Sequence, residues 1–266
     1  MYTIRGDIHT HTLFSRHAYS TIQENVAAAA QAGLEIFGSA DHFSSMLFCE
    51  QDIKNFQYFV NTGIWPREWM GVHVLRGCEV DIVSLDGGLF GQDIPVPETI
   101  VGSLYQQDKS LFERVTANLD YLIASVHNAE FTFGASIAQT TAMYVKALEH
   151  PRVFVLGHTG RSGVSYDLQE VLSCAREHHK LIEINEHSLD GMPFAHAYSR
   201  CKEIAIACAE MGVGICVNTD AHIAPHIGVF SEAIKLLEAI HFPEHLIMNR
   251  SKEVLLAELE ASGVRA

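Results

Sequence analysis

Tyr121-Leu122-Ile123-Ala124-Ser125-Val126-His127 reads as a short apolar strand that stops at a histidine. The phrase recurs along the chain. Val153-Phe154-Val155-Leu156 ends at Gly157-His158, Leu181-Ile182-Glu183-Ile184 precedes Asn185-Glu186-His187, and Gly214-Ile215-Cys216-Val217 precedes Asn218-Thr219-Asp220-Ala221-His222. Upstream, a strand over 2–9 runs into His9-Thr10-His11, Leu34-Glu35-Ile36-Phe37-Gly38 delivers Asp41-His42, and Val72-His73-Val74-Leu75 leads to Glu79 and Asp81. Helical stretches are expected between them over 24–31, 135–149, 168–179, 197–211 and 232–240, with a last one from near Lys252; Ser20-Thr21-Ile22-Gln23 offers a capping box to the first and Gly33 a stop. Segment 44–69 is expected to hold a short helix and an active-site cap.

Seven apolar strands separated by helices imply parallel pairing with covered faces. A closed α/β barrel gathers the loops after successive strands on one face; an open doubly wound sheet is the alternative. Neither a glycine-rich dinucleotide loop after the first strand nor a GxxxxGK[ST] sequence is present.

With 266 residues, 48% of them hydrophobic, the chain fills a core, and no Pro/Gly/Ser tract or charge block divides it, so a single domain over 1–266 is expected. Eighteen basic against 32 acidic residues give a formal charge of −14, which disfavours a nucleic-acid partner. The six cysteines form no CxxC pair, and the amino-terminal stretch lacks the long apolar segment of a signal peptide. Reduced thiols, a cytoplasmic location and no membrane partner are the expectation.

Alternate side chains on extended backbone point the same way, so His9 and His11 can grasp one cation, with Asp7 and Thr12 available to orient the imidazoles. His17, His42, His127 and His158 gain weight from their positions near strand ends. Glu79 would be costly if buried without a cation, and Asp220-Ala221-His222 mirrors the spacing of the first pair.

Together, Asp7-Ile8-His9-Thr10-His11-Thr12, Ser15-Arg16-His17-Ala18-Tyr19-Ser20, Asp41-His42, Gly77-Cys78-Glu79, His127, Gly157-His158, Glu183-Ile184-Asn185 and Thr219-Asp220-Ala221-His222 resemble the PHP (polymerase and histidinol phosphatase) metallohydrolases over essentially the whole chain, most closely the stand-alone YcdX-like phosphatases. The resemblance implies a distorted (β/α)7 TIM-like barrel and a trinuclear site: His9, His11, Glu79 and Asp220 on one metal; Glu79, His127 and His158 on a second; His17, His42 and His222 on the third. The neighbours of His17 and His158 depart from the commoner family settings, which bears on pocket shape.

Histidine and carboxylate donors without paired cysteines suit zinc, manganese or iron and do not choose among them; zinc is the metal expected first, with manganese or iron as alternatives. The expected reaction is hydrolysis of a small phosphomonoester by a metal-activated water, with Glu79, Asp220 and Asp41 as catalytic groups and Arg16, Arg161, His187 and Arg200 as candidate substrate contacts. A phosphodiesterase or exonuclease and a non-enzymatic metal-binding protein are the alternatives. The family resemblance also makes a homo-oligomer an expectation to test.

Overall fold

A computed structural model of the chain describes residues 2–189 and 197–264. Among the described residues nine strands occur in chain order: β1 (Gly6–Asp7), β2 (Ile36–Ser39), β3 (His42–Phe43), β4 (Glu68–Trp69), β5 (Val72–Asp81), β6 (Tyr121–Ser125), β7 (Val153–Leu156), β8 (Leu181–Asn185) and β9 (Ile215–Asn218). The main path runs β1-β2-β5-β6-β7-β8-β9 with every neighbour parallel, while β3 and β4 attach to β5. The helices are α1 (Ile22–Gln31), α2 (Gln57–Val60), α3 (Leu111–Thr116), α4 (Ile137–Glu149), α5 (Leu168–Glu177), α6 (Ala197–Met211), α7 (Ser231–Ala239) and α8 (Lys252–Ala261).

The seven-strand path is a nearly closed, distorted TIM-like barrel flanked by helices, and its seam shows how the two ends meet. Thr10 and Ala221 form a parallel bridge just beyond β1 and β9, and His11 N donates to Ala221 O at 2.9 Å. Lower down, the Asn249 side chain stands in for a missing strand. Its amide donates to Gly6 O and Val217 O, each at 2.6 Å, and its oxygen accepts from Val217 N at 3.1 Å. Buried backbone groups at the seam are thereby satisfied without a continuous ladder.

Inside, Ile8, Ile36, Leu75, Tyr121, Ile123, Phe154, Leu181 and Cys216 fill the barrel, with Leu255 and Leu259 of α8 packed against them. Gly38 and Gly77 make the room: a Cβ at either position would overlap the ring or hydroxyl of Tyr121, whose hydroxyl donates to Ile8 O at 2.5 Å. The period of two along each strand then carries this interior upward into polar residues. Leu75-Gly77-Glu79-Asp81, Leu181-Glu183-Asn185 and Cys216-Asn218-Asp220 each pass from an apolar or small residue at the base to acceptors and donors at the carboxyl mouth.

The strand over 2–9 is shorter than its composition suggests, because Arg5 N turns to Asn249 O rather than to a strand neighbour. The α1 box is set one residue later than expected, with Thr21 as cap and Glu24 closing it; Ser110 with Glu113 and Ser136 with Gln139 do the same for α3 and α4. Segment 44–69 contributes α2, a 3-10 turn at Thr62–Ile64 and β4. All six cysteines are free thiols, Cys49 being the exposed one. Among the described residues no helix is long and apolar enough to cross a membrane.

One histidine outside the mouth ties the fold to pH. His150 ends α4, and its Nδ1 accepts from Arg152 N at 3.2 Å, which requires the neutral ring. Burial, with Arg152 and Lys180 nearby, pushes its pKa down to about 4. The unfolded chain therefore binds the proton first as pH falls, so this contribution is full above about 6.5 and is lost on descending toward 4. In urea melts, the stability gap between wild type and His150→Gln is expected to narrow or reverse over that window; a gap constant with pH would contradict it.

Candidate metal centre

Glu79 lies on β5 between Cys78 and Val80, whose side chains join the outer core, so its carboxylate points inward and is fully buried. Its two oxygens face different imidazoles. Oε1 is 2.6 Å from His158 Nε2 and 3.3 Å from His127 Nε2, whereas Oε2 is 2.8 Å from His42 Nδ1, 3.3 Å from His9 Nε2 and 3.7 Å from His11 Nε2. Opposite, Asp220 Oδ1 is 3.0 Å from His11 Nε2 and 3.6 Å from His9 Nε2.

Glu79 Oε1 with His158 Nε2 and Asp220 Oδ1 with His11 Nε2 are hydrogen-bonded, whereas other atoms of the cluster are close without being bonded. Glu79 Oε2, His9 Nε2, His42 Nδ1 and His158 Nδ1 are buried and have no hydrogen-bond partner. Orphaned buried polar atoms are costly, and a convergence of acceptor lone pairs is the arrangement a cation relieves. Four overlapping groups have donor atoms mutually within 4.8 Å: His9, His11 and Glu79; His9, His158 and Asp220; His42, Glu79 and His127; His11, His42 and His222. They bring together eight of the nine expected ligands. His17 stands beside them, its Nε2 3.2 Å from His42 Nε2 and its ring stacked 4.7 Å from His222. The groupings differ from the family partition in tying His11 to His42 and His222, His42 to Glu79 and His127, and His158 to His9 and Asp220.

The far nitrogens of the rings have their own partners. His9 Nδ1 meets Glu183 Oε1 at 2.7 Å, His127 Nδ1 meets Asp81 Oδ1 at 2.7 Å, and His222 Nδ1 meets the Asp220 carbonyl at 2.9 Å. His11 Nδ1 lies 3.0 Å from Ser15 Oγ, and Ser15 donates its one hydroxyl proton to Asp41 Oδ1 at 2.7 Å. Ser15 must then accept, so His11 Nδ1 donates. In all four rings Nδ1 carries the proton and Nε2 is left to the cluster, the pattern that fixes a metal-ligating imidazole.

Asp41 thus reaches His11 through Ser15, and the rest of its carboxylate is taken by Thr12 N, Thr12 Oγ1 and Ser39 Oγ. Asp7 and Thr12 make no contact of the orienting kind expected of them. Asp7 accepts from Thr219 and from Gly228 N, which pins the β9 loop to β1. The orienting groups are Glu183, Asp81 and Ser15. Glu183 carried a legible signal, a charged residue at an inward position between Ile182 and Ile184 of an apolar strand, where it needs partners.

Asp81→Ala is expected to weaken divalent-metal binding roughly 10- to 100-fold. Asp81→Asn, which can still accept from His127 Nδ1, should fall between. Competition against a chromogenic chelator reads the effect, and unchanged affinity in Asp81→Ala would contradict the assignment.

Charge is divided within the cluster. Burial opposes ionisation of Glu79, but His127, His9 and His42 outweigh it and hold the carboxyl well below its usual range; His9, Arg161 and His11 do the same for Asp220. Burial also opposes protonation of His9 and His127, yet the facing carboxylates raise both, His127 to about 10. Burial keeps His11 well below its ordinary value and brings His17 and His158 down to about 4, helped by neighbouring imidazoles and, at His158, by Arg161. Without cations the cluster therefore retains protons that metals would displace. His158 and Asp220 also hold left-handed φ of 27° and 56°, a strain tolerated because Glu183 Oε2 accepts from His158 N and Arg161 Nη2 donates to Asp220 Oδ2.

The cluster floors an open cavity of about 850 Å³ whose walls include Tyr19, Met46, Ser162, Ile223, Val229 and His226. Of the expected substrate contacts, Arg161 and His187 line it. Arg16 and Arg200 lie elsewhere: Arg16 is exposed with its guanidinium 5.1 Å over the Phe48 ring, and Arg200 pairs with Glu203 and lies 5.0 Å over Tyr166. Aromatic faces and a carboxylate on its own helix hold them there.

A family model described as PHP domain matches residues 7–190. A probable phosphatase of Clostridium acetobutylicum is 38% identical over 97% of this chain and 95% of its own length. A probable phosphatase of Photobacterium profundum is 34% identical over 98% and 95%. Among solved structures, a histidinol phosphate phosphatase of Lactococcus lactis in complex with zinc, L-histidinol and phosphate aligns with TM-score 0.55 at 18% identity, over 90% of this chain and 94% of that one. A cryo-EM structure of an archaeal ribonuclease P with mature tRNA matches with TM-score 0.53 at 13% identity, over 96% and 90%. Both structural likenesses concern the fold alone.

Proposed function

The chain belongs to the PHP domain family, and from that premise and the buried donor cluster we infer that it is a metal-dependent hydrolase of small phosphate esters. More finely, it is a phosphomonoesterase of the stand-alone YcdX-like branch, one domain over 1–266, with a site for three divalent ions in which zinc ranks ahead of manganese and iron. The relatives named as probable phosphatases support the monoester reading, and the zinc in the Lactococcus structure supports the choice of metal. The observation that carries it is the meeting of buried Glu79 with five imidazoles, among which Glu79 Oε2, His9 Nε2 and His42 Nδ1 are close but without a hydrogen-bond partner.

The ions would be held by His9, His11, His17, His42, Glu79, His127, His158, Asp220 and His222. When bound, divalent ions supply Lewis-acid polarisation of phosphoryl oxygens and lower the pKa of water at the site. The chain's own groups do the positioning. Glu79 offers one oxygen to each half of the cluster; Glu183, Asp81 and the Asp41–Ser15 pair hold the rings in one tautomer. Arg161, whose Nη2 is 2.7 Å from Asp220 Oδ2, orients that carboxylate and adds a fixed positive charge at the cavity floor, where it would meet a phosphoryl group; His187, which lines the same cavity, is the second substrate contact proposed.

Turnover of a phosphomonoester and a phosphodiester by protein of matched metal content tests the reading. The monoester is expected to be hydrolysed faster. Diester preference would overturn the monoester assignment, and no turnover of either by fully metallated protein would overturn the enzymatic one.

A further inference from the structure

Segment 44–69 follows β3 and ends in β4, and among the described residues Met46 is its one member that lines the cavity. Two of its hydroxyls reach instead the carboxylates that orient the ligand rings. Ser44, buried directly after β3, donates to Asp81 Oδ2 at 2.5 Å, while Asp81 Oδ1 meets His127 Nδ1 at 2.7 Å. Tyr58 of α2 serves Asp41 in the same way. Thr12 Oγ1 gives its one proton to Asp41 Oδ2 at 2.9 Å, so its oxygen is left to accept from the Tyr58 hydroxyl at 3.2 Å. Burial beside Asp41 raises the Tyr58 pKa well above the ordinary tyrosine value, which keeps that proton in place. Aromatic packing fixes the donor: the Tyr58 ring stacks on Phe14 at 4.5 Å, and Phe59 meets Phe14 edge-on at 5.1 Å and Phe43 at 6.0 Å. Phe14 lies in the turn that carries Ser15, and Phe43 follows His42 on β3.

We propose that segment 44–69 braces the metal centre, and that Ser44 and Tyr58 are positioning residues which raise metal affinity through Asp81 and Asp41. Both act at one remove from the ligand rings. Each helps to fix one oxygen of a carboxylate whose other oxygen is bound to His127 or, by way of Ser15, to His11. A ring held in one orientation and one tautomer loses less freedom when a cation binds, so the outer hydroxyls contribute to the affinity of a site they do not touch. This inference rests on the metal-binding reading above.

The test is zinc affinity, read by competition against a chromogenic chelator, in Ser44→Ala, Tyr58→Phe and Thr62→Val. Each variant removes one hydroxyl from the segment, and that of Thr62 bonds Phe59 O within it. Ser44→Ala and Tyr58→Phe are expected to weaken zinc binding about three- to tenfold, less than loss of the Asp81 side chain, because one bond to the carboxylate network goes rather than the carboxylate. Thr62→Val should bind zinc as wild type does. Near-ultraviolet circular dichroism confirms native packing in all three, and a hydroxyl that merely supported the segment would act alike in each. Wild-type affinity in both Ser44→Ala and Tyr58→Phe, or an equal loss in Thr62→Val, would overturn the proposal. A loss in one of the pair alone would overturn the joint assignment. No zinc binding by wild type would overturn the underlying metal-binding reading as well.

Discussion

Glu79→Gln is expected to lower phosphomonoester hydrolysis by at least about a thousandfold, since the cations it helps to hold provide several kcal/mol of transition-state stabilisation and each 1.4 kcal/mol is tenfold in rate. The substitution keeps the shape and removes the charge. Glutamine cannot offer an anionic oxygen to both His127–His158 and His9–His42, and its amide nitrogen would intrude on one of those sets. Metal content by mass spectrometry should fall together with kcat, while far-ultraviolet circular dichroism remains native. Wild-type metal content and turnover in the folded variant would remove Glu79 from the centre of the account.

Glu183→Ala should produce the largest loss of stability, about 3–5 kcal/mol, the usual cost of removing one partner of a buried ionic network. Its carboxylate accepts from Asn218 Nδ2 at 2.9 Å, His158 N at 2.8 Å and Asn185 Nδ2 at 3.1 Å, and meets His9 Nδ1 at 2.7 Å. All lie in the interior, so alanine would leave three donors unpaired and Asn185 Nδ2 with Asp220 Oδ2 alone. His9, whose protonated form Glu183 favours most among its charged neighbours, would also lose the contact that sets its tautomer. Urea denaturation of metal-depleted protein reads the loss, and Glu183→Gln should recover part of it. A loss below about 1 kcal/mol would mean that the network is replaced by water.

The fold was legible where a strand's own composition decides it. The runs ending at His127, His158 and Asp220 are apolar on both faces because helices cover one side and the packed interior the other, and such runs stand out in a sequence. The first strand is shorter than its composition suggests because its start depends on Asn249, far away in the chain. The turns of 44–69 and the short α3 are held largely by packing and local side-chain bonds that leave little periodicity.

At the site, the histidines were visible as residues recurring at strand ends. The groups that orient them were less so, because Ser15 is an ordinary loop residue until Asp41 takes its proton, and Asp81 matters through the next strand's His127. Arg16 and Arg200 looked equal to Arg161 in sequence; only the folded chain separates an arginine at the cavity floor from two held over aromatic rings.

Anomalous diffraction from crystals grown with zinc, collected on both sides of the absorption edge, is the most direct test of the central claim. The expected result is strong peaks between Glu79 and the Nε2 atoms of His9, His11, His127 and His158, with Asp220 in contact. Crystals of folded protein in saturating zinc with no peak beside Glu79, or with peaks confined to surface histidines, would contradict it.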